Sequence, residues 1–212
     1  MNDIIQQMLL GQIDMRCFLQ IATSDSNLVL AINKLVPEDA INNPEHSVWK
    51  KYSYDALKKE SFSLWNVIKR YSKFDDSFGE NLNVFSIISK FFCFSHIDFI
   101  PTTKYEDEFD FLLDVAGESY GGPEVDKIIN SIVTEYVYFT PKTKGIREAK
   151  AKMAMVFHVV DKKKPRWING AEWPMGVNSP MQFISIKSIN DGKVYQFKDV
   201  DTGEIREIVQ YY

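Results

Sequence analysis

Residues 167–212 decide the fold, and they read WINGAEWPMGVNSPMQFISIKSINDGKVYQFKDVDTGEIREIVQYY. This stretch places Gly, Asn and Pro turn signals between three short runs of strand-forming residues. The sequence Asn190-Asp191-Gly192 favours a hairpin, because Asn, Asp and Gly tolerate the positive φ of tight turns. We therefore predict three antiparallel strands, at about residues 181–187, 194–197 and 205–211.

The predicted sheet is too small to form a core by itself, because a three-stranded meander has one face that must be covered. Tyr195 and Phe197 alternate with polar residues and are expected on that face. Trp173 is expected to be buried where the sheet meets helices. We therefore expect residues 161–212 to form one cooperative domain with the helical part of the chain.

The residues before this stretch have helical periodicity, with apolar side chains three or four positions apart. Helices are predicted at residues 2–10, from a cap at Asp14, and from Ser24 to residue 35. Further helices are predicted at residues 53–71, 82–94, 103–117, 123–138 and 143–159. The nearly continuous apolar run 82–94 predicts a central helix, with a buried strand at its end as the alternative. Trp49 lies in the connecting segment 36–52 and is expected to hold it against the core. The predicted fold class is α+β: a helical region, residues 1–160, with a small C-terminal antiparallel sheet packed on it.

Composition narrows the class of protein. An apolar fraction of 45% over 212 residues is typical of a globular chain rather than a disordered one. The net charge of -4 does not favour nucleic acid as a partner, since phosphate binding needs a basic surface. The N-terminus does not resemble a signal peptide, and no apolar run reaches the roughly 20 residues of a membrane span. We therefore expect a cytoplasmic protein with no membrane partner. Cys17 and Cys93 are expected to be buried free thiols, with a disulfide between them as the alternative.

No motif for catalysis or metal binding stands out. Cys93 and His96 are three positions apart on a predicted helix, but two ligands do not make a zinc site. The glycines at 117, 121 and 122 precede a helix and could cradle an anion, although the end of one helix and the start of another explain them as well. We expect no catalytic residues, no metal and no cofactor, and hence no enzyme.

The run Asp161-Lys-Lys-Lys-Pro-Arg166 marks the change from helical to strand periodicity. Three lysines and one arginine make it the most basic segment of the chain. Because cations are favourable near the C-terminal end of a helix, we interpret the run as a solvated linker. Contact with nucleic acid is the alternative.

A family resemblance appears in the C-terminal residues. The pattern W-I-x-G-x-E-W-P-x-G-x-x-S-P-M-x-F, followed by Y-x-F-x-D-x-x-T-G-E and Q-Y-Y, resembles the C-terminal unit of small bacterial proteins from polymorphic-toxin gene neighbourhoods. The matching positions cover about a fifth of the chain: Trp167, Gly170, Glu172, Trp173, Pro174, Pro180, Met181, Phe183, Asp199, Thr202, Gly203 and Glu204. The resemblance implies an immunity-type protein that binds and neutralises a cognate protein toxin. The same residues would also serve the turns and aromatic core of a small sheet.

The candidate partner surface is acidic. Glu106, Asp110 and Asp114 recur every four residues, so their carboxylates line one face of a helix. A solvated face is one interpretation, since acidic residues are favourable near the start of a helix. Together with the resemblance, the row predicts a surface for a basic toxin. The alternative function is that of a non-catalytic adaptor or structural module of a bacterial assembly. A small enzyme that uses one of these carboxylates for acid–base catalysis is the third, and it would need that carboxylate in an apolar site.

Overall fold

The structure is a computed structural model that describes residues 3–51, 63–72 and 77–212. The chain divides into two compact units, Met1–Phe109 and Asp110–Tyr212. The predicted α+β class is confirmed: among the described residues, helices come first and a three-stranded antiparallel sheet occupies residues 182–211. The prediction that residues 1–160 and 161–212 fold together as one cooperative domain is not tested by this division and stays a prediction.

The first unit is helical. Its elements are α1 (Asp3–Leu9), α2 (Met15–Ser24), α3 (Ser26–Asn33), α4 (Leu64–Tyr71) and α5 (Phe78–Ser95), with 3-10 turns at Glu38–Ala40 and Ser47–Lys51. Asp14 caps α2 as predicted, since its carboxylate accepts a hydrogen bond from Cys17 N at 2.6 Å. The cap of α3 is Asp25 rather than Ser24, because the Asp25 carboxylate accepts from Asn27 N.

The described part of the helix predicted at 53–71 is α4, which is capped at Ser63. Ser63 has an extended backbone and accepts a hydrogen bond from Asn66 N, so α4 begins only at Leu64. Asn33 reinforces this start, because its Oδ1 accepts from the Ser63 hydroxyl and from Trp65 N. Residues 53–62 of the prediction lie outside the described residues.

The core of the first unit surrounds α5, as predicted. The buried face of α5 comprises Phe78, Val84, Phe85, Ile87, Ile88, Phe91 and Phe92. The alternative of a strand at its end is wrong, because the helix continues to Ser95. Trp49 is buried, packs edge-on against Phe91 and donates from Nε1 to the Ala40 carbonyl at 2.8 Å. The expectation that it holds its segment against the core is therefore confirmed.

The boundary between the units falls within α6 (Lys104–Ala116), and the second unit continues with α7 (Asp126–Tyr136) and α8 (Lys142–Val156). Pro123 lies in a turn before α7 rather than in its first turn. Helix α8 ends three residues earlier than predicted, and His158 just beyond it has φ of 50°. Helices α7 and α8 approach closely at Gly145, where a Cβ would lie 2.7 Å from the Tyr136 carbonyl oxygen.

The sheet has the order β1–β2–β3, with β1 at Gln182–Ile189, β2 at Gly192–Lys198 and β3 at Ile205–Tyr211. The predicted hairpin at residues 190–192 is confirmed, since Ile189 pairs with Gly192. A bulge lies between Phe183 and Ser185 in β1. Tyr195 and Phe197 are both buried, as expected from their alternation. None of the described helices has the length and apolar character needed to cross a lipid bilayer.

Candidate functional site

Trp173 organises the second unit. Its ring stacks on Tyr120 at 5.3 Å between centroids, and Phe157 and Phe197 meet it edge-on at 5.0 and 5.5 Å. The indole Nε1 donates to the Met181 carbonyl at 2.7 Å. Only 1% of the residue is exposed, so its predicted burial between helical segments and sheet is confirmed. This tryptophan of the resemblance motif therefore has a structural role.

The glycines once considered for anion binding are explained by this packing. Gly121 accepts a hydrogen bond at its carbonyl from Trp173 N, and a Cβ on Gly122 would lie 3.0 Å from that nitrogen. The amide of Gly122 already donates to Asp126 Oδ1 at 2.9 Å. A carboxylate thus occupies the place where an anion would bind. The left-handed φ of 56° at Gly117 ends α6 in the usual way.

Asp199 is the most highly coordinated carboxylate of the motif. It accepts backbone hydrogen bonds from Val177 N at 2.9 Å, Asp201 N at 2.8 Å and Thr202 N at 3.3 Å. The hydrogen bond from Val177, and then that from Asp201, hold the pKa of Asp199 below its ordinary value of 3.8. Gly176 packs so closely that a Cβ there would lie 2.8 Å from Asp199 Oδ2. These contacts therefore hold residues 176–177 and the turn at residues 199–202 against each other.

Gln210 is a buried polar residue that the sequence did not single out. Its Oε1 accepts from the amides of Ile168 and Asn169 at 3.0 and 3.1 Å. Its Nε2 donates to the Gly170 carbonyl at 2.8 Å and to Glu172 Oε1 at 3.1 Å. Every polar atom of the amide is used, so β3 holds residues 168–170 in place. In the sequence, Gln210 belongs to the closing Q-Y-Y of the motif, which was the available signal for its role.

The acidic row predicted as a partner surface is exposed at all three positions, Glu106, Asp110 and Asp114 on α6. Asp114 Oδ2 lies 3.7 Å from Lys142 Nζ, and both side chains are about half exposed, so the pair is worth little in water. Glu106 and Asp110 form no ion pair with a described cation. Whether a partner binds to the row stays a prediction.

One acid of the same helix differs from this row. Glu108 is buried, with Lys104 Nζ at 3.9 Å from its Oε1. The spacing of four residues to Lys104 was a signal for this pair in the sequence. Glu108 is therefore a structural acid of the first unit.

The basic run is exposed at its lysines, as a solvated linker would be, but its backbone is anchored. Pro165 is buried, and the Tyr195 hydroxyl donates to the Arg166 carbonyl at 2.9 Å. Lys164 Nζ lies 5.0 Å from the centre of the Tyr120 ring. Next to the run is a cavity of about 610 Å³, and a second of about 740 Å³ lies beside Trp167. The two cavities share Ser119, Pro165 and Arg166.

Both cysteines are free, as expected, but Cys17 is exposed and Cys93 is only partly buried, so the expected burial of both thiols is wrong. Cys93 and His96, the two possible metal ligands, have other neighbours. Cys93 Sγ lies near the Ser89 hydroxyl and the Phe99 carbonyl. His96 stacks on Phe92 at 4.3 Å, and its Nδ1 is 2.9 Å from the Phe92 carbonyl. Among the described residues, no group of three or more His, Cys, Asp or Glu side chains could hold a metal ion. His158 Nε2 lies 3.0 Å from the Ser179 hydroxyl, and this contact joins two segments of the second unit.

We compared the chain with protein-family models, with curated proteins and with solved structures, and none of the three comparisons found a match.

Proposed function

We propose that this chain is an immunity-type protein, a non-catalytic cytoplasmic protein that binds a cognate protein toxin and neutralises it. The partner is a protein and not a nucleic acid or a membrane, and no cofactor is required. The observation that carries the proposal is the exposed acidic row of α6, considered together with the family resemblance of residues 167–212.

The charge of this row favours a basic partner. Glu106 and Asp110 are exposed and form no ion pair with a described cation, and the one described ion pair of Asp114 is with the exposed Lys142. Many toxins that cleave nucleic acid need a basic surface, because phosphate binding requires Lys and Arg side chains. A carboxylate row placed against such a surface would speed the encounter and disfavour partners of the wrong charge.

The C-terminal motif supports the proposal in a different way. Trp173, the glycines of the motif and Asp199 build a closely packed unit rather than a reactive site. A rigid surface loses little entropy when it binds, which suits a tight inhibitor. The motif would then supply the frame, and exposed side chains would supply recognition.

The experiment first asks whether a neighbouring gene encodes a toxin, as the family resemblance implies, and then pairs this protein with that toxin. Cells that express the toxin should grow when this protein is co-expressed and should die without it. With purified proteins, the variant Glu106→Ser, Asp110→Ser, Asp114→Ser should associate more slowly, because the long-range attraction that steers encounter is lost. The loss should shrink in 1 M salt, where the Debye length falls to about 3 Å from about 10 Å at 0.1 M.

The matched control removes the same number of exposed charges outside the acidic row and the C-terminal motif: Glu38→Ser, Glu45→Ser, Asp98→Ser. It should associate at nearly the wild-type rate, and both variants should melt like the wild type. Equal kinetics for the two variants would exclude the acidic row from the interface. Failure of the wild-type protein to protect cells or to bind the toxin would contradict the immunity function itself. Stable association with non-toxic assembly proteins instead would favour the adaptor function.

A further inference from the structure

We propose that the groove between the basic run and strand β1 binds an extended, acidic segment of a partner protein, which adds to the free edge of β1. The groove is the cavity of about 610 Å³ described above, lined on one side by residues 162–166 and on the other by residues 183–186. This inference is independent of the proposed toxin-binding role of the acidic row, because it concerns a different surface and the opposite charge.

The first observation is the charge of the groove. Lys162, Lys163, Lys164 and Arg166 line it, and no carboxylate is among its described lining residues. None of these four cations forms an ion pair with a described acid. In a chain of net charge -4, such a concentration of uncompensated positive charge favours a ligand rich in carboxylates.

The second observation is that the basic side of the groove is held in place. The Arg166 carbonyl is bound by the Tyr195 hydroxyl, and the Tyr120 ring lies beneath Lys164. Partial burial, and then the nearby charge of Lys150, lower the pKa of Lys164. Lys164 thus holds its charge in a partly buried position, where an anionic ligand would favour the charged form.

The backbone of the run is also unusual for a linker. Asp161 and Lys162 adopt φ of 53° and 58°, in the left-handed region that side chains other than glycine rarely occupy. Two such residues in succession are unfavourable by themselves and persist only where the surrounding structure fixes them. The turn directs the following lysines along the groove.

The third observation is the apolar floor. Phe183, Ile184 and Ile186 of β1 line the groove, and Ile184 and Ile186 are 42% and 37% exposed. Two branched apolar side chains that are this exposed on a strand provide contact area for apolar side chains of a ligand. An extended peptide that alternates acidic and apolar residues would satisfy both sides of the groove.

The fourth observation is the free edge of β1. The sheet order is β1–β2–β3, so β1 pairs on one side only, and no other described residue bonds to its outer edge. Unpaired backbone amides and carbonyls of an edge strand can pair with an added strand. Strand addition supplies affinity through main-chain hydrogen bonds, and the groove beside it supplies selectivity through side chains.

A protein segment fits this groove better than single-stranded nucleic acid. Nucleic acid would use the same lysines, but it would also need exposed aromatic rings on which bases stack. The exposed side chains of the floor are isoleucines, and the free strand edge offers nothing specific to a phosphodiester backbone. The combination of cations, branched apolar residues and an open edge therefore favours a peptide.

The experiment measures binding of labelled eight-residue peptides to the full chain by fluorescence anisotropy. The probe alternates valine and glutamate and matches the eight residues of β1 in length. It should bind more tightly than a valine–lysine peptide of equal length. The same probe with every backbone amide N-methylated should bind at least about tenfold more weakly, because it cannot donate to the strand edge.

Protein variants locate the binding. Lys162→Glu with Lys163→Glu should weaken probe binding by at least about tenfold, since attraction becomes repulsion. The matched control, Lys127→Glu with Lys144→Glu, makes the same charge change at two exposed lysines that do not line the groove and should leave binding nearly unchanged. Ile184→Ser with Ile186→Ser should weaken binding without changing the charge. Melting curves establish that each variant is folded.

Four results would overturn the proposal: equal binding of the glutamate and lysine peptides, equal losses in the groove and control variants, full binding of the N-methylated probe, or tighter binding of oligothymidylate at the same lysines. The last result would assign the groove to nucleic acid. The peptide assay contains no toxin, so a negative result in it would not contradict the immunity function. A negative result in the toxin experiment would likewise not contradict peptide binding in the groove.

Discussion

Replacing Trp173 with alanine removes the side chain on which the second unit is built. Truncation of a buried Phe or Trp to Ala typically lowers the free energy of unfolding by about 3–5 kcal/mol. Trp173 is only 1% exposed and touches three aromatic rings, each of which adds about 0.5–1.5 kcal/mol beyond area burial. Loss of Nε1 also leaves the Met181 carbonyl without its donor. We therefore expect a loss near the upper end, about 4–5 kcal/mol.

A loss of this size is a large part of the roughly 5–15 kcal/mol by which domains are stable. The assay is urea unfolding followed by circular dichroism, with Trp173→Phe as the companion variant. Phenylalanine keeps a ring between Tyr120 and Phe157 but cannot donate to Met181, so its stability should lie between those of the other two proteins. A Trp173→Ala protein within about 1 kcal/mol of the wild type would refute the reasoning, because such a change is usual for surface positions.

Three further variants test other contacts. The pKa of Asp199 is lower in the folded protein than its ordinary value of 3.8, so the ionised carboxylate stabilises the fold at pH values above 3.8. This contribution is lost as the pH falls through the pKa of the folded state. The difference in melting temperature between Asp199→Asn and wild type should therefore be larger at pH 7 than at pH 3. Gly145→Ala should destabilise by about 1–3 kcal/mol through the clash with the Tyr136 carbonyl, whereas Gly79→Ala, whose Cβ would have its nearest neighbour at 3.5 Å, should melt no lower than wild type. Gln210→Leu should speed hydrogen exchange at the amides that Gln210 accepts from, with a loss of about 1–3 kcal/mol for a buried donor left unpaired; unchanged exchange there would contradict the assigned role.

Local signals in the sequence determined the elements and their order. The turn at residues 190–192, the alternation of Tyr195 and Phe197, and the apolar run around Phe91 each act within a few residues, so the sheet, its buried face and the central helix could be predicted. Burial of Trp173 followed from its place beside the strands. Element ends were less predictable, as at Ser63, because a single capping hydrogen bond decides where a helix begins.

Which side chains meet depends on tertiary packing. The Gln210 amide binds backbone about forty residues earlier in the chain, and the Tyr195 hydroxyl anchors the basic run. Residues 183–186 of β1 line the same cavity as lysines that precede them by about twenty residues. No periodicity encodes such contacts, because they depend on how whole elements pack. The sequence by itself determined that residues 162–166 are basic. That these residues line a groove follows from the fold, because the charge of a segment is set by its own residues, whereas the groups around it come from distant parts of the chain.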